Sequence, residues 1–178
     1  MEISSPEDSF APIEQRIVDF AGRYPAMPLR PVVASRLLHF LYGWVESASD
    51  SVLAPFGLTT TTWISLVMIF ARGPGVEVKP SELSRVISAS RAHVTRVVDF
   101  LERSGWVVRR PSRDDRRVSL LALTPAGEAL VERVLPAVFA FHEALWADVS
   151  PAERDAFEKL ARKLAARAGA LVAAPEPS

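Results

Sequence analysis

Residues 91–103, RAHVTRVVDFLER, place Val94, Val97, Val98 and Leu101 at i, i+3, i+4 and i+7, the spacing of a helix that buries one face. Ser90 stands where a side chain can accept from the free amides of the first turn, and Gly105 where a helix can end. A shorter helix, Pro80 to Ile87, precedes it. Proline suits its first position, and Ser88-Ala89-Ser90 makes a tight connection between the two. Two strand-like runs follow, WVVRR at 106–110 and VSLLALT at 118–124. Residues 111–117 between them form a hairpin tip. The chain is thus committed to helix, turn, helix, strand, tip and strand over residues 80–124.

Helical spacing governs the rest. Residues 10–21 predict a lead-in helix through Ile13, Ile17 and Phe20. GRYPAMPLRP at 22–31, with its three prolines and a glycine, predicts a linker. A helix is expected from Val32 to Ser49, with the stripe Val33, Leu37, Phe40, Leu41, Trp44 and Val45, interrupted by SVLAPFG. Residues 58–72 predict another, capped by Thr59. GPG at 73–75 breaks it. Thr124-Pro125 opens a long helix over 125–147 with the stripe Leu130, Val131, Val134, Val138, Phe141 and Leu145; Pro136 inside it is expected to kink it. SPAE at 150–153 is a capping box. The last helix, to about Leu171, is expected to bury Phe157, Leu160, Ala161, Leu164 and Leu171 before a frayed tail.

The formal net charge is zero, but it is unevenly placed. Residues 81–120 hold nine arginines against five acids, and five of those arginines fall between Arg109 and Arg117. The remainder of the chain is acidic to the same extent. This is the asymmetry of a polyanion-binding module in an acidic scaffold, and also that of a solvated charged surface. The chain has no cysteine, which excludes disulfides, thiolate metal sites and a cysteine nucleophile. His39, His93 and His142, its only histidines, have no metal-ligand spacing. No phosphate loop or Ser-His-Asp signature is present, so neither a cofactor, a metal nor an enzyme is expected. The acidic amino terminus is not a secretory signal, and the run LVMIFA at 66–71 is far short of a membrane span. A soluble, cytoplasmic protein without membrane attachment is expected.

The element order is that of a winged helix-turn-helix, which suits duplex DNA. The major groove admits one helix, and base edges there carry distinguishable donor and acceptor patterns. Opposite its valines, the helix at 91–103 presents Arg91, Ala92, His93, Thr95, Arg96 and Asp99. Arg91, His93, Thr95 and Arg96 lie in the first two turns, the end from which such helices usually contact bases. Arginines on the hairpin tip can enter a minor groove or grip phosphates beside it. Arg109 and Arg110, on the strand before the tip, can instead simply solvate it.

The segment resembles the MarR family of bacterial transcription regulators. LTTTTWISL at 58–66 is similar to the family's Leu-Thr…Trp…Leu helix start. Residues 81–127 then follow the family in order: Glu-Leu in the first helix of the pair, Val-Thr-Arg-x-Val-Asp-x-Leu-Glu in the second, Gly-x-Val, Asp-Arg-Arg in the wing, and Leu-Thr-x-x-Gly opening the next helix. Ser88-Ala89 lacks a glycine often seen in the turn, and Pro136 and the extension at 1–29 depart from the usual pattern. The resemblance implies a mostly α fold with a small β-hairpin wing, a winged helix-turn-helix domain flanked by helical dimerisation elements. It divides the chain into an extension (1–29), a first dimerisation helix (30–57), the DNA-binding domain (58–124), carboxy-terminal dimerisation helices (125–172) and a disordered tail (173–178). It implies that Arg117 reaches a minor groove while Asp115 braces the wing. Arg113 and Arg116 are assigned to phosphates, and Ser90, Arg91, His93, Thr95 and Arg96 to the recognition helix. A homodimer would set two such helices about one DNA turn apart, ~34 Å, and read a pseudo-palindromic operator in double-stranded DNA.

Many family members release DNA when a small aromatic acid or phenolic ligand binds between the dimerisation helices and the winged domain. Candidates here are His39 and Tyr42, three residues apart on one helix face, with Trp63, Met68 and, for a carboxylate, Arg72. Trp63 and Met68 also fit an apolar core stripe. The expected function is a sequence-specific, ligand-released repressor. The alternatives are a ligand-independent architectural DNA-binding protein and a protein-interaction module on a winged-helix scaffold.

Overall fold

The computed structural model describes residues 9–73, 76–87, 90–111 and 119–173. It is mostly helical, with one two-stranded antiparallel sheet. In chain order the elements are α1 (Ala11–Arg23), α2 (Leu29–Leu53), a 3-10 turn (Ala54–Phe56), α3 (Thr60–Phe70), α4 (Pro80–Val86), α5 (Arg91–Arg103), β1 (Val107–Pro111), β2 (Ser119–Leu123), α6 (Pro125–Leu145) and α7 (Pro151–Ala173). Two compact units divide at Leu135 and Pro136.

The first unit holds every buried apolar side chain among the described residues, from Phe10 to Val134. Its centre is Leu53, Leu66, Ile69, Leu83, Leu101, Leu121 and Val131. The α5 stripe predicted from spacing, Val94, Val97, Val98 and Leu101, is buried throughout. α4 and β1 pack against α5, and α3 packs against β2. Leu121 is the hub of the sheet. Its residue pairs with Arg109 of β1 on one side. On the other it exchanges both backbone hydrogen bonds with Val78, at 2.8 and 2.9 Å. The segment before α4 therefore lies along the outer edge of the hairpin, which periodicity did not indicate.

The start of α3 is fixed by side chains. Thr59 and Thr62 form a reciprocal capping box. Asp50, near the end of α2, accepts from the Thr60 amide and hydroxyl, both at 2.6 Å. This satisfies helix-end amides that would otherwise lack acceptors and ties α2 to α3. The expected end of α2 at Ser49 is accordingly too early. The helix continues to the fully buried Leu53 and stops where Gly57 adopts a left-handed φ of 71°. Its expected start at Val32 is too late. Pro31 lies in the first turn, where a missing amide breaks no helical bond, so the linker shrinks to 24–28.

Three predicted stripes are not buried. On α2, Leu37, Leu41 and Trp44 are exposed and Val33, Phe40 and Val45 half-buried. Phe40 lies between Phe10, 5.3 Å away, and Trp44, 6.1 Å away. On α1, Ile13 and Ile17 are half-buried and Phe20 is exposed beside Tyr24. In the second unit, Phe157, Leu160, Leu164 and Leu171 are all exposed and Ala161 is half-covered. Helical spacing marks a face that needs cover, and two helices of a single chain bring no further layer to supply it. α6 remains helical through Pro136, with burial ending at Val134; beyond it Val138 and Phe141 are half-buried and Leu145 exposed. Ser150 and Glu153 make the expected capping box at the start of α7.

No single described helix is long and apolar enough to cross a membrane. The pair Leu29–Phe56 and Thr60–Phe70, bent by 73°, passes together on length and composition. Its second member, however, buries Trp63, Leu66 and Ile69 as core.

Candidate nucleic-acid interface

α5 begins with a cap that leaves its outer face free. The Ser90 hydroxyl accepts from the His93 amide at 3.3 Å. The helix closes at Gly105, whose φ of 75° favours glycine and whose amide donates to the Glu102 carbonyl at 2.9 Å. The apolar face is held by the core, so the opposite face is fixed in orientation. It presents Ser90, Arg91, Thr95 and Arg96 to solvent, with His93 half-buried beside them. The first turn contains no acid. The Thr95 hydroxyl donates to the Arg91 carbonyl at 3.0 Å, leaving its lone pairs outward. Among the described residues, neither Arg91 nor Arg96 has an ion-pair partner. A rigid helix end with a hydroxyl and two unpaired guanidinium groups can donate to phosphates and base acceptors.

The acids of α5, Asp99 and Glu102, lie further along and face the wing. Arg109 of β1 pairs with Asp99 and approaches Glu102 at 3.5 Å. Its neighbour Arg110 points to the other side of the strand, 3.9 Å from Glu77. The reading of Arg110 as a solvated strand residue is therefore modified by its tie to Glu77, and Arg109, which the sequence leaves open, is paired with α5. Each is held to an acid on a different flank of the hairpin. Arg113, Asp115, Arg116 and Arg117, the sequence-derived wing contacts, lie outside the described residues.

The base of the wing is set by Thr124 and Gly127. The Thr124 amide donates to the Trp106 carbonyl at 3.0 Å and its hydroxyl to the Gly105 carbonyl at 2.6 Å, while that hydroxyl accepts from the Gly127 amide at 3.1 Å. One residue thus joins the end of α5, β1 and the first turn of α6. A Cβ on Gly127 would stand 2.1 Å from the Trp106 carbonyl oxygen, a contact no side chain tolerates. The Leu-Thr-x-x-Gly run was legible as a helix start. Its role as the rivet of the wing was not, because that role depends on Gly105 and Trp106.

The ligand candidates are dispersed. Trp63 is buried in the core and Met68 half-buried on the same helix. Arg72 is paired with Glu82 at 2.6 Å. His39 is exposed, with Nδ1 2.7 Å from the Ser35 carbonyl, an arrangement that makes Nδ1 the donor. It lines a shallow groove on α2 with Phe40, Gly43, Trp44 and Ser47, in which the other four candidates take no part. The Tyr42 hydroxyl donates to Glu46 at 3.0 Å. That hydrogen bond, reinforced by slight desolvation and the nearby carboxylates of Glu46 and Asp50, raises its pKa and keeps it a proton donor.

A helix pair on a hairpin, with the second helix's polar end exposed and unpaired, defines a winged helix-turn-helix DNA-binding protein. The sequence model of the MarR family matches residues 58–119. The transcriptional repressor MprA of Escherichia coli K12 is 32% identical over 161 residues, covering 90% of this chain and 91% of that one. Among solved structures, a mutant of Escherichia coli MarR complexed with operator DNA superposes with a TM-score of 0.69 at 26% identity, covering 78% of this chain and 99% of that one. BpsR of Bordetella bronchiseptica, whose DNA binding is regulated by 6-hydroxynicotinic acid, shares the fold at a TM-score of 0.67 and 24% identity, covering 74% of this chain and 91% of that one. The chain belongs to the MarR family of transcriptional regulators, which are not enzymes.

Proposed function

We propose that the protein is a homodimeric repressor that reads a pseudo-palindromic operator and is released from it by a small aromatic acid or phenolic ligand. The observation that carries the DNA-reading part is the exposed, acid-free beginning of α5, with Arg91, Thr95 and Arg96 outward on a helix whose other face is locked in the core. Ser90 and His93 flank these contacts. By family resemblance Arg117 enters the minor groove and Asp115 braces the wing, while Arg113 and Arg116 are assigned to phosphates. The exposed stripes on α2 and α7 support dimerisation through the regions 30–57 and 125–172. Two-fold symmetry would then impose the half-site spacing of about one DNA turn.

The ligand reading is supported by the aromatic groove beside His39 on α2. A ligand seated there would act by preferring a dimer spacing that cannot match successive major grooves. Tyr42, Trp63, Met68 and Arg72 would join only if the ligand state rearranges their present hydrogen bonds and packing.

Fluorescence anisotropy on the protein's own upstream intergenic DNA tests the whole reading, run with random competitor and a panel of aromatic carboxylates. Competitor-resistant binding that a panel member weakens is the expected result. Specific binding that no compound alters would favour the ligand-independent DNA-binding alternative. Binding equal to that of random DNA would remove operator recognition at that site and favour the architectural or interaction-module alternatives.

A further inference from the structure

Asp99 and Glu102 pose a problem for any surface that approaches DNA. Both carboxylates sit on the recognition helix, three residues apart and therefore on one side of it. Phosphates a few ångströms away would be repelled by them, within the ~10 Å over which salt leaves charges unscreened. The fold brings one cation to both. Arg109 is placed by β1, whose register sets it opposite the buried Leu121 at the base of the wing, away from its tip. From there it reaches Asp99 and Glu102 together. About a third of its side chain is exposed, against 45% and 39% for the two acids, so the cluster is open enough for its net charge to be felt outside.

We infer that Arg109 is a positioning and charge-compensating residue of the DNA interface, one that binds no phosphate itself. It halves the negative charge of the two acids of α5 and holds the wing's first strand against the recognition helix. Arg110 has the equivalent but looser tie on the opposite flank, to Glu77. With one cation on two acids the cluster keeps a single negative charge instead of two, which lessens its opposition to Arg91 and Arg96 at the helix's exposed end. This inference rests on the DNA-reading function proposed above.

The test uses three full-length proteins: wild type, Arg109→Gln, and Arg109→Gln combined with Asp99→Asn and Glu102→Gln. Affinity for operator and for random DNA is measured across a salt series, with thermal unfolding alongside. Wild type that does not prefer operator DNA would overturn the function itself, and this inference with it. Given specific wild-type binding, Arg109→Gln is expected to weaken operator binding roughly tenfold while the slope of log K against log salt stays the same. Removing the two acids in that background is expected to restore affinity to within about threefold of wild type. A slope shallower by about 0.9, with no rescue in the triple variant, would make Arg109 a phosphate ligand and overturn the inference. An unchanged slope, no rescue and a lowered unfolding temperature would reduce it to a structural brace, which also overturns it.

Discussion

The two compact units use the same raw material differently. Up to Leu135, apolar side chains from α2 to the start of α6 converge, and ten leucine, isoleucine and valine side chains among the described residues are sealed from water. From Pro136 onward the stripes are equally regular, yet no described residue is buried. Phe157, Leu160, Leu164 and Leu171 recur at helical spacing and all remain exposed. The first unit closes its own core. The second leaves its stripes open to solvent, the surface on which the proposed dimer would draw.

That contrast can be broken at several points. Leu66→Ala, at a fully buried site of the first unit, should cost about 4 kcal/mol in urea unfolding, the transfer loss plus the cavity left behind. A loss below about 1 kcal/mol would mean that the unit is not packed as described. Gly127→Ala should cost about 3 kcal/mol, because backbone must move away from the Trp106 carbonyl. It should also lower DNA affinity, through the displaced base of the wing. Leu160→Glu with Leu164→Glu should leave the unfolding of the first unit unchanged. In analytical ultracentrifugation it should weaken self-association by roughly 30-fold, about 2 kcal/mol. Self-association at the wild-type level would remove α7 from the interface.

Smaller effects sharpen the division of labour within the first unit. Arg96→Ala should weaken operator binding by about 1.4 kcal/mol, tenfold, without a change in thermal stability. Equal losses of both would mean that Arg96 supports the fold. The smallest effect belongs to Glu153. Its carboxyl pKa is lowered by the Ser150 hydroxyl and then by the Ser150 amide, both donating to it. The stabilisation of the first turn of α7 is therefore present above the unfolded carboxylate pKa and lost as pH falls through the lower folded value. Amide shifts of residues 150–154 should report that titration, and Glu153→Gln should abolish it.

Local chemistry was readable from neighbouring residues. Thr59, Ser90 and the Ser150–Glu153 pair cap the helices they were expected to cap, because a capping bond spans only two or three residues. Gly105 ends α5, and two strands flank the arginine-rich tip for the same reason. The end of α2 was misplaced because Asp50 acts across ten residues on α3. The ties of Arg109 to α5 and Arg110 to Glu77 were equally invisible, since adjacent strand residues face opposite sides and their partners come from separate elements.

The sequence by itself determined the order of elements, the buried face of α5 and the family, all carried by short-range spacing and contiguous motifs. Tertiary structure decided which of the described arginines have acid partners, where Val78 joins the hairpin, why residue 127 is glycine, and which described apolar stripes stay uncovered. These are properties of pairs of surfaces. Periodicity describes one surface at a time, and only the folded chain brings the second against it or leaves it open to solvent.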